Sequence, residues 1–233
     1  LSNGLPGFDI VGLPDTAVRE SRERVRAAIK NSGFDFPQKR ITINLAPADI
    51  KKEGSVFDLA IAAGILGASM YITNQEIKNY AFIGELSLDG TIKGVKGVLP
   101  MCVELSRQGF ESVIVSAENA NEAALVKGIH VYSVNNLKQM VDFLNNDLVL
   151  EPYCIDIEKC FFNQYLYEYD FKDVKGQETA KRALEIAAAG GHNILMIGPP
   201  GSGKTMLARR LPSILPNMTF GECLEVTKIY SIS

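Results

Sequence analysis

The sequence has no tryptophan, only two histidines and four cysteines among its 233 residues. The cysteines, Cys102, Cys154, Cys160 and Cys223, do not form a CxxC pair. Zinc ribbons and fingers need such pairs, and small secreted domains need a denser set of cysteines, so both classes are disfavoured. We therefore expect reduced thiols in a cytoplasmic protein.

Long apolar runs are also missing, because no stretch approaches the roughly 18–20 residues that span a bilayer. This excludes a membrane protein, and the first residues do not resemble a secretory signal. A hydrophobic content of 46% with a net charge of −3 excludes a disordered chain. The acidic balance also argues against a uniformly basic nucleic-acid clamp.

Positive charge is nevertheless concentrated in one segment, since residues 16–40 hold seven basic and three acidic side chains. Asp15 predicts a helix cap just before this segment, and Gly33 predicts the helix end. The basic side chains allow three interpretations: a solvated face partnered by nearby glutamates, a contact with DNA phosphates, or a contact between subunits. The candidates for a DNA contact are Arg19, Arg22 and Arg26.

The first 147 residues alternate short strands with helices and predict one mixed α/β domain. Alternating apolar residues predict a half-buried strand over residues 40–45, and the apolar run 57–66 predicts a buried helix that Asp58 caps. Asp89-Gly90 predicts a hairpin turn. The remaining predicted strands cover 80–86, 92–95, 112–115 and 129–134, and the remaining helices begin at Thr16, Pro100, Asn119 and Leu137. The helix from Asn119 is predicted to end at Val126, and Asn136 is predicted to cap the last helix.

Residues 148–172 are rich in aromatic side chains without a clear period, and we interpret them as a linker. A second domain then begins at residue 173, with a predicted helix over 177–189 and a predicted buried strand over 193–197. Thr219 and Glu222 have the spacing of a capping box, which begins a last helix. One βα unit in about 60 residues is too little for a doubly wound sheet, so residues 173–233 are expected to be part of a larger domain.

Residues 198–205 read GPPGSGKT and match the phosphate-binding pattern G-x-x-x-x-G-K-[ST]. Glycines let the backbone wrap a phosphate, and the following helix begins with its positive end towards the ligand. Lys204 supplies charge to the β- and γ-phosphates, and Thr205 supplies a hydroxyl ligand for Mg²⁺. The motif predicts ATP and Mg²⁺ as cofactors, held by Gly198, Pro199, Pro200, Gly201, Ser202, Gly203, Lys204 and Thr205.

Hydrolysis also needs an acidic residue on a neighbouring strand and, as a rule, an arginine supplied in trans. No apolar strand ending in Asp-Glu follows residue 205 in this sequence. We therefore expect this chain to bind the nucleotide without hydrolysing it.

Five segments together resemble the YifB/ComM family of bacterial magnesium-chelatase-like AAA+ ATPases. They are LSNGLPGFDIVGLPD (1–15), RESRERVRAA (19–28), ITINLAPAD (41–49), KEGSVFDLAI (52–61) and residues 176–205. The resemblance implies an α/β fold, with a Lon-protease-like N-terminal domain followed by the P-loop part of a parallel-sheet AAA+ domain. It also implies a chain cut at both ends.

The resemblance carries further expectations about the site and the partners. Val174, Gly176 and Gln177 lie where AAA+ ATPases receive adenine. Family members are expected to form a hexameric ring, and ComM members drive branch migration of DNA in natural transformation, so branched or single-stranded DNA is the implied partner. No membrane is implied.

A protease is the first alternative, because the leading domain is similar to Lon. Placing the Lon segment Lys-Asp-Gly-Pro-Ser-Ala-Gly on residues 52–58 puts Val56 at the nucleophile, and Leu99 falls at the catalytic lysine. Neither side chain can act as a nucleophile or a base. A shifted pair of Ser55 with Lys93 or Lys96 is a weaker alternative, and we predict a catalytically silent domain.

In two further alternatives for the function, the P-loop also binds a nucleotide. One is the ATPase subunit of a magnesium chelatase, in which the AAA+ module comes first, without a Lon-like domain ahead of it. The other is a regulatory protein that uses the P-loop as a nucleotide sensor.

Overall fold

The computed structural model describes residues 1–2, 4–73, 75–156 and 168–232. The chain groups into two compact units, one of residues 1–156 with 226–233 and the other of residues 157–225. The aromatic residues Phe161, Phe162, Tyr165 and Tyr167 of the predicted linker lie outside the described residues. The predicted domain limits at 147 and 173 stay predictions.

The first unit is a mixed α/β structure with parallel strands. Its elements are β1 (Gly7–Val11), α1 (Thr16–Asn31), β2 (Arg40–Asn44), α2 (Asp58–Ala68), β3 (Tyr80–Ile83), β4 (Glu85–Leu86), β5 (Ile92–Lys93), α3 (Val98–Arg107), β6 (Ser112–Ser116), α4 (Ala120–Ala123), β7 (His130–Val134) and α5 (Leu137–Leu144).

Helix α1 connects the parallel pair β1–β2, and its ends confirm the predicted signals. The Asp15 carboxylate accepts a hydrogen bond from the Val18 backbone N–H at 2.7 Å. At the other end Gly33 has a φ of +87°, and the Phe34 N–H donates to the Ile29 carbonyl at 3.2 Å. This is the pattern of a helix closed by a left-handed glycine.

The core of this unit joins the inner face of α1 to α2, the sheet β3–β6–β7 and α5. Helix α2 is buried on almost every side, as its apolar sequence predicts. The hairpin β4–β5 turns at Asp89-Gly90, and the Asn136 side chain caps α5 by accepting from the Gln139 N–H at 2.9 Å. Both predictions are confirmed.

Several predicted boundaries are wrong. The predicted strand 80–86 is divided at Gly84, which separates β3 from β4. Helix α3 begins at Val98 after Gly97, so Pro100 is its third residue; the N–H groups of a first turn have no intrahelical acceptor, and proline is tolerated there. Helix α4 ends at Ala123, because the Leu125 and Val126 N–H groups bond to the residue three positions earlier.

The second unit contributes α6 (Glu178–Gly190), α7 (Lys204–Arg210) and the start of α8 (Phe220–Ile232). The predicted capping box is confirmed, since Glu222 accepts from the Thr219 N–H at 2.7 Å and its own N–H donates to Thr219 Oγ1 at 3.3 Å. A small core holds Phe171, Val174, Leu184 and Leu207. Across the described ranges, no helix has the length and apolarity to cross a membrane.

The predicted buried strand over residues 193–197 is absent. The segment leads into the P-loop, but it pairs with no strand among the described residues, and the side chains of Leu195 and Ile197 are 82% and 88% exposed. A strand needs a neighbour for its backbone N–H and C=O groups. The apolar composition alone therefore does not produce one.

Candidate functional site

The motif at residues 198–205 forms a tight loop that leads into α7. Gly201 and Gly203 have φ values of +78° and +86°, which glycine adopts without steric cost. A Cβ atom on Gly203 would also lie 2.8 Å from Gln177 Nε2. The loop therefore takes the strongly curved path for which the glycines were predicted.

The ammonium group of Lys204 lies inside this curve. Its Nζ donates to the carbonyl oxygens of Gly198 and Pro199, both at 2.8 Å, and lies 3.2 Å from Ser202 Oγ. These partners are neutral oxygens, and charge-assisted bonds to phosphate oxygens are stronger. A phosphate that entered the loop could therefore replace the carbonyl groups as the partner of Lys204.

Thr205 lies exposed in the first turn of α7, where its hydroxyl can reach a ligand of the loop. Within the described residues, no three His, Cys, Asp or Glu side chains gather into a metal site. Mg²⁺ is usually held by one or two protein groups, phosphate oxygens and water. A single threonine ligand fits a nucleotide-bound Mg²⁺, and its role as ligand stays a prediction.

The three residues predicted to contact adenine differ in their surroundings. Gln177 has a left-handed φ of +57°, and its Nε2 donates to the Ser202 carbonyl at 3.3 Å, which brings it to the loop. Val174 is buried in the small core, and its carbonyl accepts from Lys181 Nζ at 3.4 Å. Gly176 is exposed. A contact of the three with a base stays a prediction.

In the first unit, the basic helix α1 divides its charges between two faces. Arg24 turns towards α2 and binds Asp58, with Nε to Oδ2 at 2.7 Å and Nη2 to Oδ1 at 3.1 Å. Ser21 also donates to Asp58, and the Leu86 N–H donates to it at 3.3 Å. The hydrogen bond that Arg24 donates to Asp58 is the main reason that the pKa of Arg24 is raised.

The role predicted for Asp58 is therefore wrong. Asp58 is fully buried and makes no capping bond; it ties α1, α2 and β4 together instead. The sequence did carry a signal for this pair. Ser21 and Arg24 lie between Val18 and Val25, on the apolar side of a helix that must pack against a partner.

The three arginines proposed for DNA lie on the exposed side of α1. Arg22 has Glu23 at 3.8 Å and donates to the Phe8 carbonyl at 3.4 Å, while Arg26 lies over the Phe36 ring at 5.5 Å. Arg19 and Arg22 line one cavity, and Arg26 lines another. The structure thus leaves these cations at the surface.

The Lon-like positions offer no serine–lysine pair of the expected kind. Val56 and Leu99 occupy the two catalytic positions, and Leu99 is fully buried. Ser55 donates its hydroxyl hydrogen to the Glu85 carboxylate, and buried Lys52 donates to the Pro47 and Ile50 carbonyls. This geometry favours a structural role for Ser55.

Comparisons with known proteins find two matching family profiles. Residues 1–119 match the family profile described as subunit ChlI of Mg-chelatase, and residues 170–233 match the profile described as magnesium chelatase, subunit ChlI. The second match contains the whole P-loop.

Individual relatives extend the similarity over the full chain. The chain is 47% identical over 233 residues to an uncharacterized protein YifB of Salmonella typhimurium, and 47% identical over 234 residues to competence protein ComM of Haemophilus influenzae. Each alignment covers 100% of this chain but only 45% and 46% of those relatives, so the chain spans less than half of their length.

Lon protease 2 of Bacillus subtilis is 31% identical over 168 residues, which cover 67% of this chain and 29% of that protein. This similarity fits the predicted α/β fold with a Lon-like leading region. With one family profile over the first half of the chain and another over the P-loop, the chain belongs to the YifB/ComM family of magnesium-chelatase-like proteins.

Proposed function

We propose that this chain is the nucleotide-binding part of an ATP-driven protein that remodels DNA. The observation that carries the proposal is the loop 198–205, whose two left-handed glycines, together with the Lys204 ammonium bonded to the loop carbonyls, suit a triphosphate. Family membership supports the use of a nucleotide and Mg²⁺. The exposed arginines of α1 and the competence protein among the relatives support DNA as the partner.

The roles of the residues follow from this geometry. Lys204 binds the β- and γ-phosphates, Thr205 holds the Mg²⁺ ion, and Gln177 orders the loop from outside through the Ser202 carbonyl. Bound Mg²⁺ would neutralise charge that develops on the phosphates. The acidic residue and the trans arginine needed for hydrolysis would come from a longer protein assembled as a ring.

A magnesium-chelatase ATPase subunit is the second candidate, because both family profiles carry that description. A ring-forming ATPase that inserts a metal would use the same P-loop, but DNA would not raise its ATPase rate. A Lon-type protease is disfavoured by Val56, by Leu99 and by the bond from Ser55 to Glu85.

The test is the ATPase rate of the full-length protein with single-stranded, duplex and four-way junction DNA, with Lys204→Ala as the inactive control. We expect strong stimulation by the junction in the wild type and none in the variant. A wild-type rate that is indifferent to every nucleic acid would instead support the chelatase subunit or the nucleotide sensor.

A further inference from the structure

Four cations form a stripe along the exposed side of α1. Their spacing of three, four and four residues keeps them on one face of the helix, and the stripe runs for about 16 Å at 1.5 Å per residue. The stripe consists of Arg19, Arg22, Arg26 and Lys30, all exposed.

Two cavities open beside this stripe, and each is also lined by one cation at the start of β2 or directly before it. The first cationic cavity has a volume of about 520 Å³ and is lined by Arg19, Arg22 and Arg40. The second cationic cavity has a volume of about 120 Å³ and is lined by Arg26, Lys30 and Lys39. Each cavity therefore collects three positive charges in a chain whose net charge is −3.

Acidic neighbours offset little of this charge. Asp9 lines the first cavity and lies 3.4 Å from Arg40, while Glu23 lies 3.8 Å from Arg22. Both pairs are largely exposed, and such pairs are worth about 0–1 kcal/mol, so an anion can compete for these arginines. The lining of the second cavity contains no acidic residue.

The second cavity also contains aromatic surface. Phe8 and Phe36 line it, with ring centroids 5.8 Å apart, and both are only partly buried. Arg26 lies over the Phe36 ring. A cationic groove with aromatic rings beside it suits unpaired bases, because a base in a duplex is not free to stack on a side chain.

We propose that one unpaired nucleic-acid strand lies along α1, with its phosphates in the two cationic cavities and a base against the Phe8–Phe36 surface. The midpoints of the two pairs of α1 cations are separated by about 11 Å along the helix axis. One strand that follows the helix can therefore reach both cavities. The inference rests on the proposed action on DNA and names the form of DNA and the surface that binds it.

The test measures the binding of a dye-labelled oligothymidine of 20 nucleotides to the full-length protein over a series of salt concentrations. The variants are Arg19→Glu with Arg22→Glu, and Arg26→Glu with Lys30→Glu. The matched control is Arg107→Glu with Lys138→Glu, which changes the net charge equally at exposed positions of α3 and α5. Thermal melting checks that each variant folds, and glutamine replaces glutamate where it does not.

Each single-strand phosphate contact adds about −0.7 to the slope of log K against log salt. We expect each cavity variant to flatten the slope by about 1.4, as two lost contacts require, and to weaken binding, whereas the control keeps both values. Phe36→Ala should weaken the single strand more than a duplex of the same length. Equal losses for the two would overturn the assignment of an unpaired strand.

The failures can be distinguished. If the cavity variants keep the wild-type affinity and slope while DNA still stimulates the ATPase, the surface is wrong and the proposed function stands. If the variants lose the oligomer in sedimentation but not the DNA, the stripe is a subunit contact and the inference is overturned. If DNA does not stimulate the wild type at all, the proposed function itself fails.

Discussion

Two short apolar segments of this protein have similar compositions and different structures. The segment SVIVS, residues 112–116, is the central strand β6, and its three apolar residues are fully buried. The segment NILMI, residues 193–197, is not a strand, and Leu195 and Ile197 are mostly exposed. The difference lies in the neighbours, because β3 and β7 flank β6 on both sides, whereas 193–197 has no partner strand in the described part of the chain.

The comparison extends to the two units that contain these segments. In the first unit, one continuous core surrounds the sheet β3–β6–β7 and includes the inner face of α1. The charged face of α1 is therefore held in place by this core. In the second unit, the described residues give the phosphate loop a core of four buried side chains, Phe171, Val174, Leu184 and Leu207. The cluster of buried side chains around the phosphate loop is therefore smaller than the core of the first unit. We expect the first unit to keep its structure whether or not a nucleotide is bound.

The largest expected difference is in hydrogen exchange. The amides of β6 should exchange only on global opening, whereas those of residues 194–197 should exchange almost freely, a contrast of several orders of magnitude. Mass spectrometry of peptides from the two segments measures it. Equal protection in this chain would show that 193–197 is a paired strand; in the full-length protein, we expect the same amides to become protected.

The next effect concerns the buried pair of the first unit. Asp58→Ala leaves Arg24, which is only 20% exposed, without its carboxylate. Removing one partner of a buried pair costs about 3–5 kcal/mol, and we expect about 3 kcal/mol here because Arg24 keeps some solvent. Urea unfolding measures the loss.

Glu20→Ala is the matched control, since Glu20 is an exposed partner of the same arginine at 3.9 Å. It should cost less than 1 kcal/mol. Equal costs for the two variants would show that the buried geometry is not what stabilises α1. ATP affinity in the second unit should be the same in both variants.

A smaller effect is expected at the cap of α1. The hydrogen bond from the Val18 N–H is the main reason that the pKa of Asp15 is lowered. A lowered folded-state pKa stabilises the protein above the unfolded-state pKa, and this contribution is lost as the pH falls through the folded-state value. Asp15→Ala should therefore reduce the melting temperature at pH 7 and much less near pH 3.

Substitution of the exposed Asp49 by alanine provides the comparison for this cap. It should leave the melting temperature unchanged at either pH. If Asp15→Ala destabilised the protein equally at pH 7 and pH 3, the charge of the cap would contribute nothing.

Local signals were predictable where a few adjacent residues decide the outcome. The Asp15 cap, the Gly33 helix end, the turn at Asp89-Gly90 and the capping box at Thr219 depend on neighbours in sequence, and all four are present. The phosphate loop is predictable for the same reason, because its glycines allow the positive φ angles that curve the backbone of the loop.

Long-range pairing was not predictable from these signals. Asp58 has the right position for a cap, and only the packing of α1 against α2 brings Arg24 to it, 34 residues away. The failure of the predicted strand at 193–197 has the same origin, since a partner strand is not encoded in the segment itself. The two cationic cavities also depend on packing, because Lys39 and Arg40 join the α1 stripe only after β2 pairs with β1.

The central claim is that the loop 198–205 binds a nucleoside triphosphate, and calorimetric titration of ATP in millimolar Mg²⁺ tests it most directly. For the full-length protein we predict saturable heat in the wild type and none in Lys204→Ala, with the same thermal transition of the first unit in both. Absence of heat in the wild type, or equal heat in the variant, would contradict the account.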